Sequence, residues 1–277
     1  MRLKNILKIG FTFLAAGMLL TGCGEVKGTV DRSGGNIETV TPQKGDLIAT
    51  FEIEGHGTIK AVLFPDIAPV GVENFQKLAD SGYYNGLTIH RVYAGFMFQG
   101  GSLNGNGTGG DAMVNGGSFG IETSENARHF YGALCYANAA GQNSTQFYIV
   151  NDKQQNQFDN LISMYNEYIV EFSARAAAAS SEDEKAYYEY VVAQSKATID
   201  SINADVAAMD PKIKSLYDER GGSYFLDGDY TVFGQVYEGF DVIDSISSVE
   251  VVDNGGGEKS WPVETIVIKS VKVSNYK

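Results

Sequence analysis

Apolar residues are distributed along the chain in three textures. The first is a mostly apolar run, Ile9 to Leu20, that follows Met1–Lys8, a segment with Arg2, Lys4 and Lys8 and no acid. That run is too short to span a bilayer comfortably and reads as the core of an export signal. The second texture, short apolar runs broken by glycine, fills Leu47 to Asp152 and returns at Tyr230. "LIATFEIEGHGTIKAVLF" predicts two strands joined by a turn at Gly55-His56-Gly57. "APVGVENFQKLADSG" predicts a helix, with Val70, Phe75, Leu78 and Ala79 near one face and Gly82 ending it. Further strands are expected around Arg91 and Gln99, at Gly132–Ala137, Gln146–Val150, Tyr230–Val236 and Glu264–Val273, with a short helix around Phe240–Ile246. Many short strands with two helices predict a mainly β fold, a closed antiparallel barrel with two capping helices.

The third texture interrupts the second. Between Asp152 and Arg220, Phe158, Leu161, Ile162, Tyr165, Tyr168, Ile169 and Phe172 recur at helical steps. Tyr188, Val191, Ser195, Ile199, Ile202, Val206 and Met209 then repeat almost as a heptad. Ser180 or Ser181 is placed to cap the second helix, with Glu182 to Glu184 in its favourable first turn. Asp210-Pro211 ends it, and a short third helix is expected to run to Arg220, stopped by Gly221-Gly222. The pattern predicts an α-helical hairpin inserted into the barrel domain. The expected organisation is a signal at residues 1–22, a tether at 23–44, a barrel domain from 45–152 and 222–277, and a helical insertion at 153–221.

The segment after the signal changes the picture of location. "LTGC" at Leu20 to Cys23 looks like the lipobox of bacterial lipoproteins, in which the cysteine following the cut carries the lipid. The run from Gly24 to Gly45 is polar and aperiodic and reads as a flexible tether. The expectation is a chain anchored by lipid at Cys23 on the extracytoplasmic face of the cell membrane. Cys135 is then left without a partner in the apolar run "GALCYANAA", which suits a small buried hydrophobe. The formal charge is −13, and losing Arg2, Lys4 and Lys8 with the signal raises the acidic excess to 16. So acidic a surface argues against nucleic acid and against electrostatic docking on anionic lipid.

Several segments carry chemistry. "YYNGLTIHRVYAGFMFQGG", "GNGTGG", "LCYANAAGQNSTQFYIV" and "FLDGDYTVFGQVYEGFDVID" occur in an order that resembles the cyclophilin-type peptidyl-prolyl cis-trans isomerases. The resemblance covers 45–152 and 222–277 and skips the helical stretch. It implies a cyclophilin-like barrel and rotation about X-Pro peptide bonds, with no cofactor and no metal. The resemblance makes Arg91 and Gln99 the catalytic pair, Arg91 as the donor and Gln99 helping to hold it and the substrate backbone. It places Phe96, Met97, Tyr148 and Leu226 in an apolar proline pocket. Ala137, Asn138 and Ala139 match a segment that pairs with the substrate main chain, and Gln146 a polar neighbour. Phe225 and Tyr230 stand where many relatives have tryptophan and histidine. The implied partners are proline-containing unfolded or nascent exported polypeptides, met by a monomer.

Physical chemistry explains why one arginine among apolar residues is suited to this reaction. Partial double-bond character holds the X-Pro bond behind a barrier of roughly 20 kcal/mol, so an uncatalysed event takes on the order of tens to hundreds of seconds. About a thousand events per second requires lowering that barrier by about 7 kcal/mol. The twisted amide loses resonance, its nitrogen becomes basic, and a donor aimed at it stabilises the twisted state selectively. A guanidinium remains charged and offers several fixed donors.

The chain also departs from the pattern of the family it resembles. Phe225 lacks the indole N–H that in relatives helps hold cyclosporin, so weak inhibition is expected, and a nanomolar inhibition constant would overturn this. Ile89 and Tyr93 replace a phenylalanine and a small aliphatic, and Tyr148 adds a hydroxyl to the pocket wall.

Other signals are set aside. "GNGTGG" lacks the βαβ setting of a dinucleotide site and reads as a flexible loop beside the cleft. His56, His90 and His129 lack ligand spacing, and His90 is expected to point into the barrel opposite Arg91. Asp227-Gly228-Asp229 and "NGGGE" at Asn254–Glu258 read as turns. The rival reading is a non-catalytic chaperone or adaptor lipoprotein that binds proline segments through the cleft or the helices. Binding a proline peptide without faster cis–trans exchange would favour it.

Overall fold

A computed structural model describes residues 40–277. Eleven strands and five α-helices follow in chain order: β1 (Leu47–Ile53), β2 (Gly57–Leu63), α1 (Pro69–Asp80), β3 (Thr88–Tyr93), β4 (Met97–Gly100), β5 (Phe119–Gly120), β6 (Ala133–Ala139), β7 (Gln142–Val150), α2 (Gln157–Ala177), α3 (Glu182–Ala208), α4 (Pro211–Arg220), β8 (Val232–Glu238), α5 (Phe240–Ser247), β9 (Val251–Asp253), β10 (Lys259–Pro262) and β11 (Ile266–Asn275). A single 3-10 turn, Tyr224–Leu226, precedes β8. Strands β4-β3-β11-β1-β2-β8-β6-β7 pair in that order, and β7 pairs back onto β4. The result is a closed barrel of eight antiparallel strands, with β5 added along β7. Closure removes free sheet edges, so every one of these eight strands has two neighbours.

Alternation places one face of each strand inside. Phe51, Phe147 and Phe233 from β1, β7 and β8 meet Phe75 of α1, with ring centroids 5.1–6.2 Å apart. Val72, Leu78 and Ala79 of α1 and Val242, Ile243 and Ile246 of α5 join the same buried cluster, so both short helices seal their apolar faces against the barrel. Pro69 opens α1, where a missing N–H costs nothing. The amides of Val70 and Gly71 are instead met by both carboxylate oxygens of Glu122, at 3.0 and 2.8 Å.

The alternation fails at one place that matters. The β3–β4 register pairs Ile89 with Gly100 but Arg91 with Gln99, a bulge at His90. Ile89 and Val92 both belong to the barrel core. His90 therefore does not face the interior as strict alternation predicted. Its ring lies beside the glycine loop, where Nε2 would meet a Cβ on Gly107 at 3.8 Å. Burial pushes the His90 pKa down to about 4, so the ring is neutral at physiological pH.

The helical segment leaves after β7 and returns before the 3-10 turn. Ser181 caps α3, accepting the Glu184 N–H at 3.2 Å, and Asp210 caps α4, accepting the Lys212 N–H at 2.7 Å ahead of Pro211. Of the two candidate caps, Ser181 is the one used. The base of the segment has its own core: Phe158, Ile202, Ile213, Leu216 and Tyr217 pack with Phe130 and Tyr224 from the barrel side. The hairpin β9–β10, unforeseen from the pattern, is the last addition, with its loop at Asn254–Glu258. No helix among the described residues is long and apolar enough to cross a membrane. The stretch expected to be an export signal, Cys23 and nearly all of the expected tether lie outside the described residues.

Candidate active site

The β3–β4–β7 ladder brings the expected residues together. Arg91 is opposite Gln99, and Gln99 is opposite Tyr148. A polar chain runs along this row: Gln99 Nε2 donates to Gln146 Oε1 at 2.9 Å, and Gln146 Nε2 donates to Gly107 O at 2.9 Å. The glycine loop thus lies beside the cleft, as expected. It is also tied down internally, because Ser102 Oγ donates to Thr108 O at 2.7 Å and accepts the Gly107 N–H at 3.1 Å. The loop can leave β4 sharply because Gly101 has φ +84°, and a Cβ there would lie 2.5 Å from Thr145 O.

Beneath the polar row lies a second apolar cluster, separate from the barrel core. Met97, Tyr148, Cys135 and Val232 are among its buried members, and Phe96, Ala137, Leu226 and Tyr230 pack on it from the partly exposed side. Phe225, 37% exposed, stacks on Phe96 with centroids 5.8 Å apart. Phe96 is braced from behind, where its N–H donates to Asn151 Oδ1 at 2.7 Å. Tyr230 meets Tyr148 edge-on at 6.1 Å. Tyr148 lies across the ladder from Cys135, and burial raises the pKa of its phenol far above the ordinary tyrosine value. Asn138 and Ala139 run on from Ala137 into the β6–β7 turn. The Asn138 side chain is occupied there, donating to Asp229 O at 3.0 Å and accepting the Gly141 N–H at 3.3 Å.

Arg91 sits at the rim of this cluster, with its side chain 31% exposed. Its Cζ is 6.0 Å from the Phe96 ring centroid, and Nη1 reaches Met97 Sδ at 3.9 Å and Gln99 Oε1 at 3.5 Å. Gln99 does help hold Arg91, as expected, but only through a long bond of 3.5 Å. The strong partner is Glu258: Nε donates to Oε1 and Nη2 to Oε2, both at 2.7 Å. Sequence reasoning missed Glu258, which was read only as the end of a glycine turn. It missed a second feature too. The Asp227 carboxylate, also read as turn, accepts His129 N–H at 3.0 Å, His129 Nδ1 at 2.8 Å, Tyr217 Oη at 2.7 Å and Arg128 Nη1 at 3.3 Å. The residue next to Leu226 is therefore tied to α4. No local spacing signals either pairing: Arg91 lies 167 residues from Glu258, and His129 and Arg128 lie 98 and 99 from Asp227, with Tyr217 nearer, at 10. A groove of about 730 Å3 lined by Gly95, Asn151–Gln154 and one face of α5 is a separate feature that none of the expected site residues line.

The family model of the cyclophilin type peptidyl-prolyl cis-trans isomerases matches residues 48–273, and with them nearly the whole barrel. The chain belongs to that family. Proteins of Staphylococcus aureus and Staphylococcus haemolyticus named as peptidyl-prolyl cis-trans isomerases are each 34% identical to this isomerase. The first aligns over 83% of this chain and 93% of its own length, the second over 82% and 91%. A solved cyclophilin-type isomerase of Cryptosporidium parvum shares the fold at a TM-score of 0.54 and 18% identity, covering 84% of this chain and 99% of its own. A second structure of that protein, determined in the presence of the dipeptide Ala-Pro, gives 0.53 and 19%, covering 83% and 99%. This isomerase is thus a member of a family that rotates X-Pro bonds, built on a closed eight-stranded barrel.

Proposed function

We propose that this isomerase accelerates folding of exported polypeptides at the outer face of a bacterial membrane, held there by a lipid on Cys23. The reading rests on the basic start, the short apolar run and Leu-Thr-Gly-Cys, together with an acidic surface that gives anionic lipid no electrostatic purchase. Its substrates are proline-containing segments, in keeping with the Ala-Pro used with the Cryptosporidium relative. Changing Cys23 to Ser tests the anchor: the protein should move from the membrane fraction to the soluble fraction. A variant that stays with the membrane overturns it.

Within the site, Arg91 is the donor to the twisted imide nitrogen. Phe96, Met97, Tyr148 and Leu226 grip the proline ring, with Phe225 and Tyr230 as the outer wall. Gln99 and Gln146 meet the substrate backbone, and Ala137, Asn138 and Ala139 run beside it. One observation carries this reading: Nη1 of a charged guanidinium faces an apolar cluster at 3.9 Å from Met97 Sδ. In such a water-poor setting a single directed charge counts for far more than in bulk water.

The test is exchange spectroscopy on a proline tetrapeptide with wild type beside Arg91→Ala. Removing the donor should slow exchange by about 10²–10³-fold while the fold persists. Near-normal turnover in the variant would remove Arg91 from this role. Binding by the wild type without faster exchange would point instead to the adaptor reading.

A further inference from the structure

We propose that Glu258 is a positioning residue for the reaction, one that fixes the plane and direction of the Arg91 guanidinium. This deepens the reading of Arg91 as the donor and rests on it. An arginine side chain has several rotatable bonds, so a donor at its tip must be oriented before it can act, and orientation supplied in advance lowers the barrier. The neighbours of Arg91 on its own ladder do not supply that orientation. Gln99 Oε1 at 3.5 Å and Met97 Sδ at 3.9 Å are long contacts on one nitrogen. Glu258 instead takes a whole edge, Nε and Nη2, through two parallel bonds of 2.7 Å. Two-point contact fixes direction as well as distance. With that edge filled, Nη1 is left facing the apolar cluster.

The carboxylate is itself held. Glu258 ends the β9–β10 loop, and its carbonyl accepts the Asn254 N–H at 2.9 Å. Asp253 Oδ1 accepts the N–H groups of Gly255 and Gly257 at 2.7 and 3.1 Å, and Asn254 Oδ1 accepts that of Gly256 at 2.8 Å. The side chain is only 24% exposed, and the Arg91 guanidinium keeps its carboxyl below the usual carboxylate range, so it is charged at neutral pH. The extra hairpin thus delivers one acid to the arginine from 167 residues away.

The experiment compares Glu258→Ala, Glu258→Gln, Arg91→Ala and the double variant Arg91→Ala/Glu258→Ala, in exchange spectroscopy on a proline tetrapeptide. Glu258→Ala should lower kcat about tenfold with KM changed less than twofold, and Glu258→Gln, which keeps one acceptor, should recover part of the loss. The slowly exchanging Nε–H resonance of Arg91, sharp in the wild type, should broaden or vanish in Glu258→Ala. In the Arg91→Ala background, removing Glu258 should change nothing further. Wild-type or faster turnover in both Glu258 variants overturns the proposal, as does a further loss on adding Glu258→Ala to Arg91→Ala. Should Glu258→Ala fail to fold, Glu258→Gln decides alone: full kcat with an unchanged Nε–H resonance sinks the idea. If Arg91→Ala itself keeps turnover, the donor reading fails, whereas loss in Arg91→Ala beside full activity in Glu258→Ala refutes only the positioning role.

Discussion

In the barrel, Phe51, Phe75, Phe147 and Phe233 meet at one point although they come from widely separated stretches of chain. In the helical arm formed by α2, α3 and α4, large buried side chains gather at one end instead. Phe158 near the start of α2 and Ile202 near the end of α3 pack with Ile213, Leu216 and Tyr217 of α4. Farther out Val170 is 71% exposed, and Tyr168 and Tyr190 also face solvent. The barrel is thus held by non-local burial over its whole volume. The arm is held by its base, and outward from there by helix propensity, caps and a narrow seam. The base is also where the arm touches the site, because Tyr217 donates to the Asp227 that follows Leu226.

The largest expected effect sets the two regions against each other. Phe147 is fully buried and meets the rings of Phe51, Phe75 and Tyr84. Phe147→Ala should cost about 3–5 kcal/mol in denaturant unfolding. Tyr190→Ala, an exposed change on the arm, should stay within about 0.5 kcal/mol. Equal costs would mean that the arm is a cooperative part of the barrel's core. Next comes the seam itself. Tyr217→Phe removes a buried hydroxyl that donates to a carboxylate at 2.7 Å, a loss of about 1.5–3 kcal/mol by the usual worth of such bonds. If turnover on a short peptide also falls severalfold, the arm's base helps shape the pocket wall. Unchanged turnover confines Tyr217 to stability.

That contrast also explains what could be read before the structure. Periodicity located α1, the arm's helices and most strands, because a strand or helix buried on one face writes its period into the chain. Periodicity alone did not single out Arg91, Phe96, Met97, Gln99 and Tyr148; their likeness to a family's motifs did, and the fold brings them together on β3, β4 with the turn before it, and β7. The bulge at His90 was not legible, since one extra residue leaves no compositional mark. Glu258 and Asp227 escaped notice because each lies in a glycine-rich turn whose local chemistry is complete without its distant partner. What a turn residue binds across the molecule is set by topology alone.

A smaller effect tests the junction by pH. Asp152 stands between β7 and α2, where burial pushes its pKa up to about 6 despite an N–H from Gln154 at 2.9 Å. A raised carboxyl favours the folded state only while protonated. Its contribution is therefore fully present below the ordinary aspartate value of 3.8 and is lost as pH rises through about 6. Asp152→Asn keeps the acceptor for Gln154 and removes the charge. It should stabilise the protein at pH 8 by about 1 kcal/mol, the figure reduced because the side chain is partly solvated, and by nothing at pH 3. A pH-independent difference between variant and wild type in thermal unfolding would show that the charge is not the cause.

The smallest effect is expected where the arm is farthest from its base. Joining Tyr165 to Thr198 through a short turn removes Asn166–Ala197. It keeps Phe158, Leu161, Ile162, Ile202, Val206 and Met209, the residues that pack the base. Since the lost stretch contributes chiefly local helix, the shortened chain should unfold within about 0.5 kcal/mol of the full one. Exchange on a tetrapeptide should stay within twofold, because neither the Arg91 row nor the Tyr217–Asp227 bond is touched. Refolding of an unfolded, proline-limited protein separates two uses of the tip. An unchanged rate makes the outer arm a self-contained helix pair. A slower rate beside unchanged tetrapeptide exchange makes Tyr168, Val170 and Tyr190 a surface that holds long chains near the pocket. Loss of tetrapeptide exchange as well would break the comparison, since it would tie the tip to the barrel's chemistry.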